Sequence, residues 1–554
     1  MTLRTIPIIC LVTVSLQNTT AAQTPSPQTS APVSEANVAP TDSANTLTPG
    51  VCLFTDRDYT LTEIPDFLRG AALLKTSIEG YTVECVEPGR VFVMTLSKAH
   101  SANQSERLKR LGFSMRDLPE FQLFAGEVNR VFVWEKTLRK HERLELRKLC
   151  LLAMAPETRM RLVRSSGESS DEAAARIAQM EQVAAHALET PILNTSPLPE
   201  YGYDRLDYGM TIGIDRTPGG RIWACWVAGG DSPEAFFVLA TSDDDGETWS
   251  APRLVIDTHS ADLPRPRSTL VGNLWTDPTG RLWLIFDQSM DMFDGRAGVW
   301  ATICDNPDAK IPQWSTPTRI WHGVTLNKPT VLASGEWMLP ISLDQRGGFG
   351  PFKGCFSELN PFRGANVFVS ADHGTTWHRR GMATFPNPDW HEHMIVERKD
   401  KSLWMLARTA RGMMESTSAD GGRTWSTAVE SSIKQPNARF HIRRLASGRL
   451  LLIKHGDRID EHHGRVQLSA WLSDDDGQSW QGGLVLDDRK GVSYPDGFQS
   501  PDGTIYISYD RNRATDGEIL MARFKEGDIL NKQLTDPSSR LRLLISRPQA
   551  PRSK

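Results

Sequence analysis

Eight residues decide the fold: Ser242-Asp243-Asp244-Asp245-Gly246-Glu247-Thr248-Trp249. They fit the pattern Ser-x-Asp-x-Gly-x-Thr/Ser-Trp, which returns at 370–377, 418–425 and 473–480. Asp side chains that bond to nearby amides, a Gly with positive φ and a closing Trp are typical of a turn between antiparallel strands. One match carries little weight, but four in one chain indicate a repeated β architecture.

A second repeated element is a tight turn that leads into an apolar strand. It occurs six times, beginning at Gly220, Gly280, Gly335, Lys401, Gly448 and Gly503. Successive turns lie 47 (401 to 448) to 66 (335 to 401) residues apart, which suits one four-stranded blade each. We therefore predict an all-β protein in which residues 195–554 form a six-bladed β-propeller. Seven blades are the alternative, if one blade lacks its signature.

The first 50 residues are typical of an export signal and a tether. Arg4 precedes an apolar run at 6–16, and small residues at 20–22 offer a cleavage site, which predicts a signal peptide at 1–22 and a periplasmic or extracellular protein. The run is too short to span a bilayer, so we expect no membrane span. Residues 23–50 are rich in Ser, Thr and Pro and predict a disordered linker.

Residues 51–155 contain short apolar runs bounded by turn residues, at 81–86, 90–94, 121–124 and 130–134. Such runs predict a small, sandwich-like β domain. An Ala-rich stretch that begins at Ser170 predicts a helix, so residues 156–194 are interpreted as a helical linker.

The net charge of the chain limits the classes of partner that we expect. The 63 basic and 67 acidic residues of the 554 give a net charge of −4. A nearly neutral chain without basic runs gives no reason to expect nucleic acid as a partner. Any anionic ligand must therefore be bound by a local cluster of cations.

The eight-residue pattern resembles the Asp-box, or BNR repeat, of the sialidase-like β-propellers. That resemblance implies a protein that processes or binds glycans. The boxes repeat with the blades, whereas an active site is a single constellation of residues. We therefore interpret the Asp of each box as structural and expect the chemistry on loops and inner strands near the propeller axis.

Four further residues match the sialidase family in register. Arg408 follows Glu392 by 16 residues, Arg465 precedes the fourth box, and Tyr494 follows Arg465 by 29 residues. The resemblance implies an exo-glycosidase that hydrolyses a terminal anionic sugar from a glycan. Tyr494 would be the nucleophile, Glu392 its partner, and the two arginines would bind the sugar carboxylate. No cofactor or metal is implied.

The chemistry of tyrosine, glutamate and arginine explains why these four residues would act together. A phenol with a pKa near 10 is a poor nucleophile until a neighbouring carboxylate accepts its proton, and a neutral phenol does not repel an anionic substrate. Arginine is permanently charged and holds a carboxylate with two parallel hydrogen bonds.

Two departures from the family pattern leave the substrate open. Sialidases begin the first blade with an arginine, whereas this chain has Gly209 there. We expect Arg267, or Arg265, to supply the missing charge, and Arg439 to contact the substrate. The acid/base Asp is assigned to Asp231, with Glu234 as the nearest alternative.

Two other classes of function remain as alternatives. The chain is similar to sialidase-related propellers that cleave rhamnose-glucuronate linkages, as polysaccharide lyases or α-L-rhamnosidases. In a lyase a histidine or a tyrosine removes the proton, and His391, His393, His441 and His455 are candidate histidines. His391 and His393 would share a strand face, but two metal ligands without a third are weak evidence for a metal site. The third hypothesis is a non-catalytic, glycan-binding propeller.

Overall fold

The structure is a computed structural model. It describes residues 37–38, 46–54, 60–76, 80–96, 107–118, 121, 131–147, 150–163 and 170–549. The chain divides into two compact units, 1–165 and 166–554. The predicted signal peptide lies outside the described residues.

The described residues of the first unit form two antiparallel sheets. One has the order Asn37–Val38, Arg159–Val163, Gly80–Glu87, Arg143–Arg147. The other has the order Ala72–Leu74, Leu151–Met154, Gly89–Leu96, Val131–Leu138, Ser114–Met115. Val83 and Leu144 from one sheet pack with Val93 and Leu152 from the other in a single buried cluster. A short 3-10 helix, Asp66–Leu68, precedes the strand Ala72–Leu74.

Part of the predicted linker 23–50 is structured. Asn37 and Val38 pair with Arg161 and Met160, and Leu47 is fully buried. At these positions the structure departs from the expectation of a disordered segment, because an apolar side chain finds a core to enter. The pairing of Arg159–Val163 with Gly80–Glu87 also carries the strands of this unit to residue 163.

The second unit consists mainly of β-sheet, which confirms the all-β prediction. Within residues 170–549 there are six four-stranded antiparallel sheets, numbered in chain order. Sheet 1 contains Met210–Arg216, Ile222–Ala228, Phe236–Ser242 and Leu254–Ile256. Sheet 2 contains Gly272–Thr276, Leu282–Asp287, Val299–Cys304 and Thr318–Trp321. Sheet 3 contains Thr330–Val331, Trp337–Leu343, Gly364–Ser370 and His378–Ala383.

The remaining three sheets follow the same plan. Sheet 4 contains Pro388–Glu397, Leu403–Thr409, Gly412–Ser418 and Val429–Glu430. Sheet 5 contains His441–Arg444, Leu450–His455, Leu468–Ser473 and Gln481–Asp487. Sheet 6 contains Val492–Gln499, Ile505–Arg511, Glu518–Phe524 and Arg540–Ser546. A two-stranded ribbon, Arg267–Ser268 with Ser289–Met290, accompanies sheet 2.

Helices are few in this unit. Ser170–Ala184 packs Ile177, Met180 and Val183 against the core of sheets 1 and 2. The others are short: Ala185–Leu188, Gly350–Phe352, Ser357–Phe362 and Glu526–Asn531. No helix among the described residues is long and apolar enough to cross a membrane.

The four Asp-boxes join the third and fourth strands of sheets 1, 3, 4 and 5. In the first box Gly246 donates its backbone N–H to Ser242 Oγ at 2.8 Å, and Thr248 donates its own to Asp244 Oδ1 at 2.9 Å. The same two bonds recur in the other boxes, at 2.8–2.9 Å. Each closing Trp packs against a hydrophobic cluster. The boxes therefore close hairpins, as their residue types predict.

The first strands of neighbouring sheets lie side by side. Ile214 in sheet 1 donates its N–H to Asp496 Oδ2 in sheet 6 at 3.0 Å, and Gly213 lies against Leu274 in sheet 2. Sheet 1 therefore contacts both the sheet that follows it in sequence and the last sheet of the chain.

Asp244→Ala is expected to lower the melting temperature of the protein by about 2–4 °C, because Asp244 also accepts a hydrogen bond from Thr248 Oγ1 at 2.5 Å and closes the hairpin. Thermal unfolding followed by circular dichroism measures this. Asp207→Ala, at an exposed position outside the boxes, is the control. Equal melting temperatures for the two variants would show that the box does not stabilise the hairpin.

Candidate active site

A cavity of about 250 Å³ in the second unit brings together most of the residues that the sequence singled out. Its apolar lining includes Met210, Leu326 and Trp390. Its polar lining consists of Asp231, Asp287, Asp389, Glu392, Arg408, Arg465, Tyr494 and Arg513. Three sheets supply the predicted set, because Glu392 and Arg408 belong to sheet 4, Arg465 precedes a strand of sheet 5, and Tyr494 belongs to sheet 6.

Tyr494 and Glu392 form the centre of this site. The Tyr494 hydroxyl donates a hydrogen bond to Glu392 Oε1 at 2.8 Å. Arg408 Nη1 donates to the same carboxylate oxygen at 2.7 Å and to the Tyr494 hydroxyl oxygen at 3.3 Å. Glu392 Oε2 is buried and has no hydrogen-bond partner among the described residues. Glu392 is therefore placed to accept the phenolic proton, and its second oxygen can accept another bond.

Burial, followed by the charge of Glu392, raises the pKa of Tyr494 to about 12, against the opposing effect of the nearby arginines. The phenol is therefore neutral at physiological pH. Burial by itself would lower the pKa of Arg408, but the charges around it, Glu392 foremost, outweigh burial and raise this pKa. The site thus joins a neutral phenol, a carboxylate and a permanent cation.

Irregular backbone conformations orient the side chains of Glu392 and Tyr494. Trp390, His391 and Glu392 have φ of 61°, 56° and 41°, and the strand pairing shifts on either side of His391. Tyr494 has φ of 52°, and the pairing shifts again between Ser493 and Asp496. Non-glycine residues rarely adopt this conformation, and bulges of this kind redirect side chains beside active sites.

Arg465 and Arg513 lie beside Tyr494. Each donates a hydrogen bond to Ser493 Oγ at 3.1 Å. The Arg513 guanidinium lies 3.9 Å from the centre of the Tyr494 ring. Burial lowers the pKa of Arg465, and repulsion from Arg513 and Arg408 lowers it further. Three like charges close together favour an anion between them.

The sequence did not indicate Arg513. It follows the second strand of sheet 6, where Asp510 Oδ1 accepts a bond from its Nε at 2.9 Å. At Gly209, where the family pattern has its first arginine, a Cβ would lie 2.3 Å from the carbonyl oxygen of Gly517, in the same hairpin as Arg513. The hairpin occupies the space that a side chain at position 209 would need. In the sequence, Gly209 alone indicates this close approach.

Two arginines predicted to bind substrate lie elsewhere. Arg267 donates to Glu189 Oε2 at 2.5 Å and to the carbonyl of His186 at 2.8 Å, and it does not line the cavity. Its proposed substitute, Arg265, is paired with Asp291 at 2.7 Å. Arg513, and not Arg267, lines the cavity: its Nε is bonded to Asp510, but its Nη2 reaches Ser493 beside Tyr494.

Arg439 lies beneath the site and not in its lining. It is 1 % exposed and donates to Asn327 Oδ1 at 3.1 Å and to the carbonyl of Ile212 at 3.1 Å. Its guanidinium lies 5.9 Å from the centre of the Tyr494 ring. Its donors are used by protein acceptors, so it supports the strands around Tyr494 and does not reach the cavity.

Histidines do not line the cavity in the described part of the chain. His391 Nδ1 lies 2.8 Å from Ser342 Oγ, and His393 Nε2 lies 2.9 Å from the carbonyl oxygen of Asn366. Burial lowers their pKa values to about 4 and about 3, so both are neutral. Among the described residues no group of three His, Cys, Asp or Glu side chains could hold a metal ion.

Three acids besides Glu392 line the cavity, and one of them, Asp389, accepts a hydrogen bond from Arg408 at 3.2 Å. Asp231, the predicted acid/base residue, is exposed, on the loop between the second and third strands of sheet 1. Asp287 is 1 % exposed, and its Oδ1 accepts the N–H groups of Leu270 and Val271, both at 2.8 Å. Burial raises the pKa of Asp287 to about 7 despite these bonds. Sequence reasoning missed this acid, because a single Asp at the end of a strand carries no motif.

Comparison with known families identifies the family of the repeat. The model described as "BNR repeat-like domain" matches residues 220–507, more than half of the chain. The chain belongs to this BNR repeat-like family. The predicted membership of the sialidase-like Asp-box superfamily is thereby confirmed. No curated protein matches the chain in sequence.

Solved structures similar to this BNR-repeat protein include three enzymes of sialic acid chemistry. The intramolecular trans-sialidase from Ruminococcus gnavus is 15 % identical, with 59 % of this chain and 96 % of that chain covered and a TM-score of 0.46. A sialidase from Streptococcus pneumoniae is 11 % identical, with 82 % and 96 % covered and a TM-score of 0.46. The Hadza microbial sialidase Hz136 is 16 % identical, with 84 % and 96 % covered and a TM-score of 0.44.

Proposed function

We propose that this protein is an exo-glycosidase that hydrolyses a terminal anionic sugar from a glycan. The observation that carries the proposal is the 2.8 Å hydrogen bond from Tyr494 to Glu392 in a cavity that three arginines line. Sialidases are the documented glycosidases in which a tyrosine replaces the usual carboxylate nucleophile. We retain Tyr494 as the nucleophile and Glu392 as its base.

The proposed first step breaks the glycosidic bond. The Tyr494 oxygen attacks the anomeric carbon while its proton passes to Glu392, and the departing oxygen takes a proton from an acid of the cavity. In the second step water attacks the same carbon, its proton passes to the acid that was deprotonated, and the tyrosine oxygen leaves and regains its proton from Glu392.

The sugar carboxylate is proposed to lie between Arg408, Arg465 and Arg513. Arg408 already bonds Glu392 and Asp389, whereas among the described residues Arg465 donates to a serine hydroxyl and a backbone carbonyl and to no carboxylate, so its charge is the less compensated. Binding of a carboxylate would offset the repulsion that lowers the pKa of Arg465.

The acid is proposed to be Asp287. A general acid must hold a proton at the working pH, and a pKa of about 7 meets this condition. Asp231, the residue chosen from the sequence, lines the same cavity and is the alternative donor.

Hydrolysis is preferred to the alternatives for a specific reason. A lyase that used histidine as its base would need one in the cavity, and none of the described histidines lines it. A lyase that used tyrosine would have Tyr494, and the absorbance of an unsaturated uronate distinguishes that case. A purely glycan-binding protein would have no need of the Tyr494–Glu392 pair. The α-L-rhamnosidase hypothesis differs from the proposed function in its substrate, so turnover of a rhamnosyl-glucuronate substrate distinguishes the two.

We propose the same scaffold as the sequence predicts. The six sheets would be the blades of a six-bladed propeller, and the two sheets of the first unit would form a sandwich-like domain. The division at 51–155, 156–194 and 195–554 stays a prediction, as do the signal peptide and export. The proposed partner is an anionic glycan.

Tyr494→Phe and Glu392→Gln are each expected to lower turnover by about 100-fold or more, because each removes a reacting group. Purified protein is assayed on sialyl, glucuronosyl and rhamnosyl-glucuronate substrates, with free sugar and the absorbance of an unsaturated uronate as separate readouts. Tyr509→Phe, which removes a buried hydroxyl bonded to Asp487 at 3.1 Å, is the control. Undiminished turnover in the two site variants would refute the assignment.

Arg513→Gln is expected to lower kcat/KM for an anionic sugar by about 10- to 100-fold, the effect of losing a charged hydrogen bond. Arg511→Gln changes the same hairpin, but Arg511 is paired with Asp516 at 2.6 Å and does not line the cavity, so it serves as the matched control. If both variants lost activity equally, the effect would come from the hairpin and not from a substrate contact.

Asp287 predicts a pH dependence. Its carboxyl is protonated below about pH 7 and loses the proton above it, so kcat/KM is expected to fall as pH rises through 7. Asp287→Asn should abolish that limb, and it should slow substrates with poor leaving groups far more than aryl glycosides, which need no protonation. Asp231→Asn is the matched variant. If it alone shows the leaving-group effect, Asp231 is the acid.

A further inference from the structure

A second, larger cavity, the distal cavity, lies at the other end of the first strands. Tyr494 lies near the start of its strand, at the active-site cavity, and Phe498 and Gln499 end the same strand at the distal cavity. Met210 and Asp215 are related in the same way in sheet 1. The volume of the distal cavity, about 630 Å³, is within the range of sites for small molecules, about 300–1,000 Å³.

The turns that revealed the repeat form part of its boundary. Pro218, Gly280, Ala446 and Pro501 come from the hairpin turns after the first strands of sheets 1, 2, 5 and 6. Trp275 and Phe498 add aromatic surface, and the Phe498 ring is stacked on Tyr506 with centroids 4.8 Å apart. Rigid turns and a buried aromatic wall make a preformed cavity.

Most charges of the distal cavity are compensated. Lys328 is paired with Asp496 at 3.0 Å and Asp215 at 3.2 Å. Arg444 is paired with Asp476 at 2.6 Å, and Arg216 with Asp245 at 2.7 Å. The remaining acid, Asp277, is paired with Arg281 at 2.7 Å.

Arg443 is the exception. It lines the distal cavity and the smaller cavity beside it, yet in the described part of the chain its side chain has neither a hydrogen bond nor an ion pair within 4.0 Å. Glu397 also lines the smaller cavity, where it accepts the N–H of Ala333 at 2.7 Å. Burial lowers the pKa of Arg443, and this effect outweighs the opposing charges of Asp215 and Asp496, which lie beyond ion-pair distance.

A second polar group beside Arg443 has one ring nitrogen near a carboxylate and one without a hydrogen bond: the Nδ1 of His441 lies 3.7 Å from Asp496 Oδ1. His441, two residues earlier on the same strand, is 3 % exposed, and its Nε2 is buried without a hydrogen bond to any described residue. Burial lowers its pKa to about 3, so the ring is neutral. A neutral imidazole nitrogen bonds well to a hydroxyl group and poorly satisfies a second cation.

We propose that the distal cavity is a second binding site, which takes a sugar carboxylate through Arg443 and a hydroxyl of the same ligand through His441. A guanidinium holds one carboxylate with two parallel bonds, and a single cation without a direct ion pair suits a monoanion better than a doubly charged phosphate. The aromatic wall suits the apolar face of a pyranose ring. The site is independent of the proposed catalytic one and does not rest on it.

The test uses D-glucuronate and saturation-transfer NMR on the full chain. Arg408→Gln weakens binding at the active-site cavity, where Arg465 and Arg513 remain, so a further loss caused by a second substitution in this variant reports the distal cavity. Addition of Arg443→Gln is expected to weaken that remaining binding by about 10-fold or more, as for loss of a charged hydrogen bond. Addition of Arg449→Gln, an arginine of the same sheet paired with Asp474 at 2.8 Å, should leave it unchanged.

Further measurements test which group of the ligand is recognised and whether the variant is folded. D-Glucose, which lacks the carboxylate, should not bind, and Arg443→Lys should bind more tightly than Arg443→Gln. Arg443→Gln alone should keep the wild-type melting temperature and turnover. The proposal is overturned if Arg408→Gln abolishes all glucuronate binding, if Arg443→Gln leaves the remaining binding intact, or if inorganic phosphate displaces glucuronate with higher affinity.

Discussion

The second unit depends on one buried carboxylate, Asp496, and the cations around it. Asp496 Oδ2 accepts the N–H of Ile214 at 3.0 Å and lies 3.0 Å from Lys328 Nζ, and its Oδ1 lies 3.4 Å from Arg439. Burial alone would raise the pKa of Asp496, but the two cations outweigh it and lower this pKa. Removing one partner of such a buried group leaves an uncompensated charge, which costs about 3–5 kcal/mol.

This network ties the first strands of the sheets to one another. Lys328 also donates to the carbonyl oxygens of Ile214, at 2.7 Å, and Leu274, which joins sheets 1 and 2. Asn327 donates to the carbonyl oxygens of Glu392 and His393 in sheet 4, at 2.9 and 3.1 Å. The backbone of Glu392, in its unusual conformation, is therefore held by the same centre that separates the active-site cavity from the distal one. Fold and site share this support.

The arginines show how much of the candidate site the sequence could predict. Arg408 and Arg465 were found because they stand at fixed distances from a repeated pattern, and the structure brings both to the cavity with Tyr494. Arg267, expected to replace the missing arginine, and Arg439, expected to contact the substrate, have no such fixed distance from the repeat. Both are bonded to other groups of the protein. Arg513 could not be found, because its approach to Tyr494 depends on the path of a hairpin past Gly209.

By itself the sequence determined the repeat, the all-β class, the structural role of the Asp-boxes and the register that identifies Tyr494, Glu392, Arg408 and Arg465. These follow from local rules, since turn chemistry and strand length act within a few residues of the chain. Only the tertiary structure decided which charges are free. Whether an arginine faces a ligand or a carboxylate, and whether Asp287 holds a proton near pH 7, depends on burial and on partners far away in sequence, which spacing along the chain does not encode.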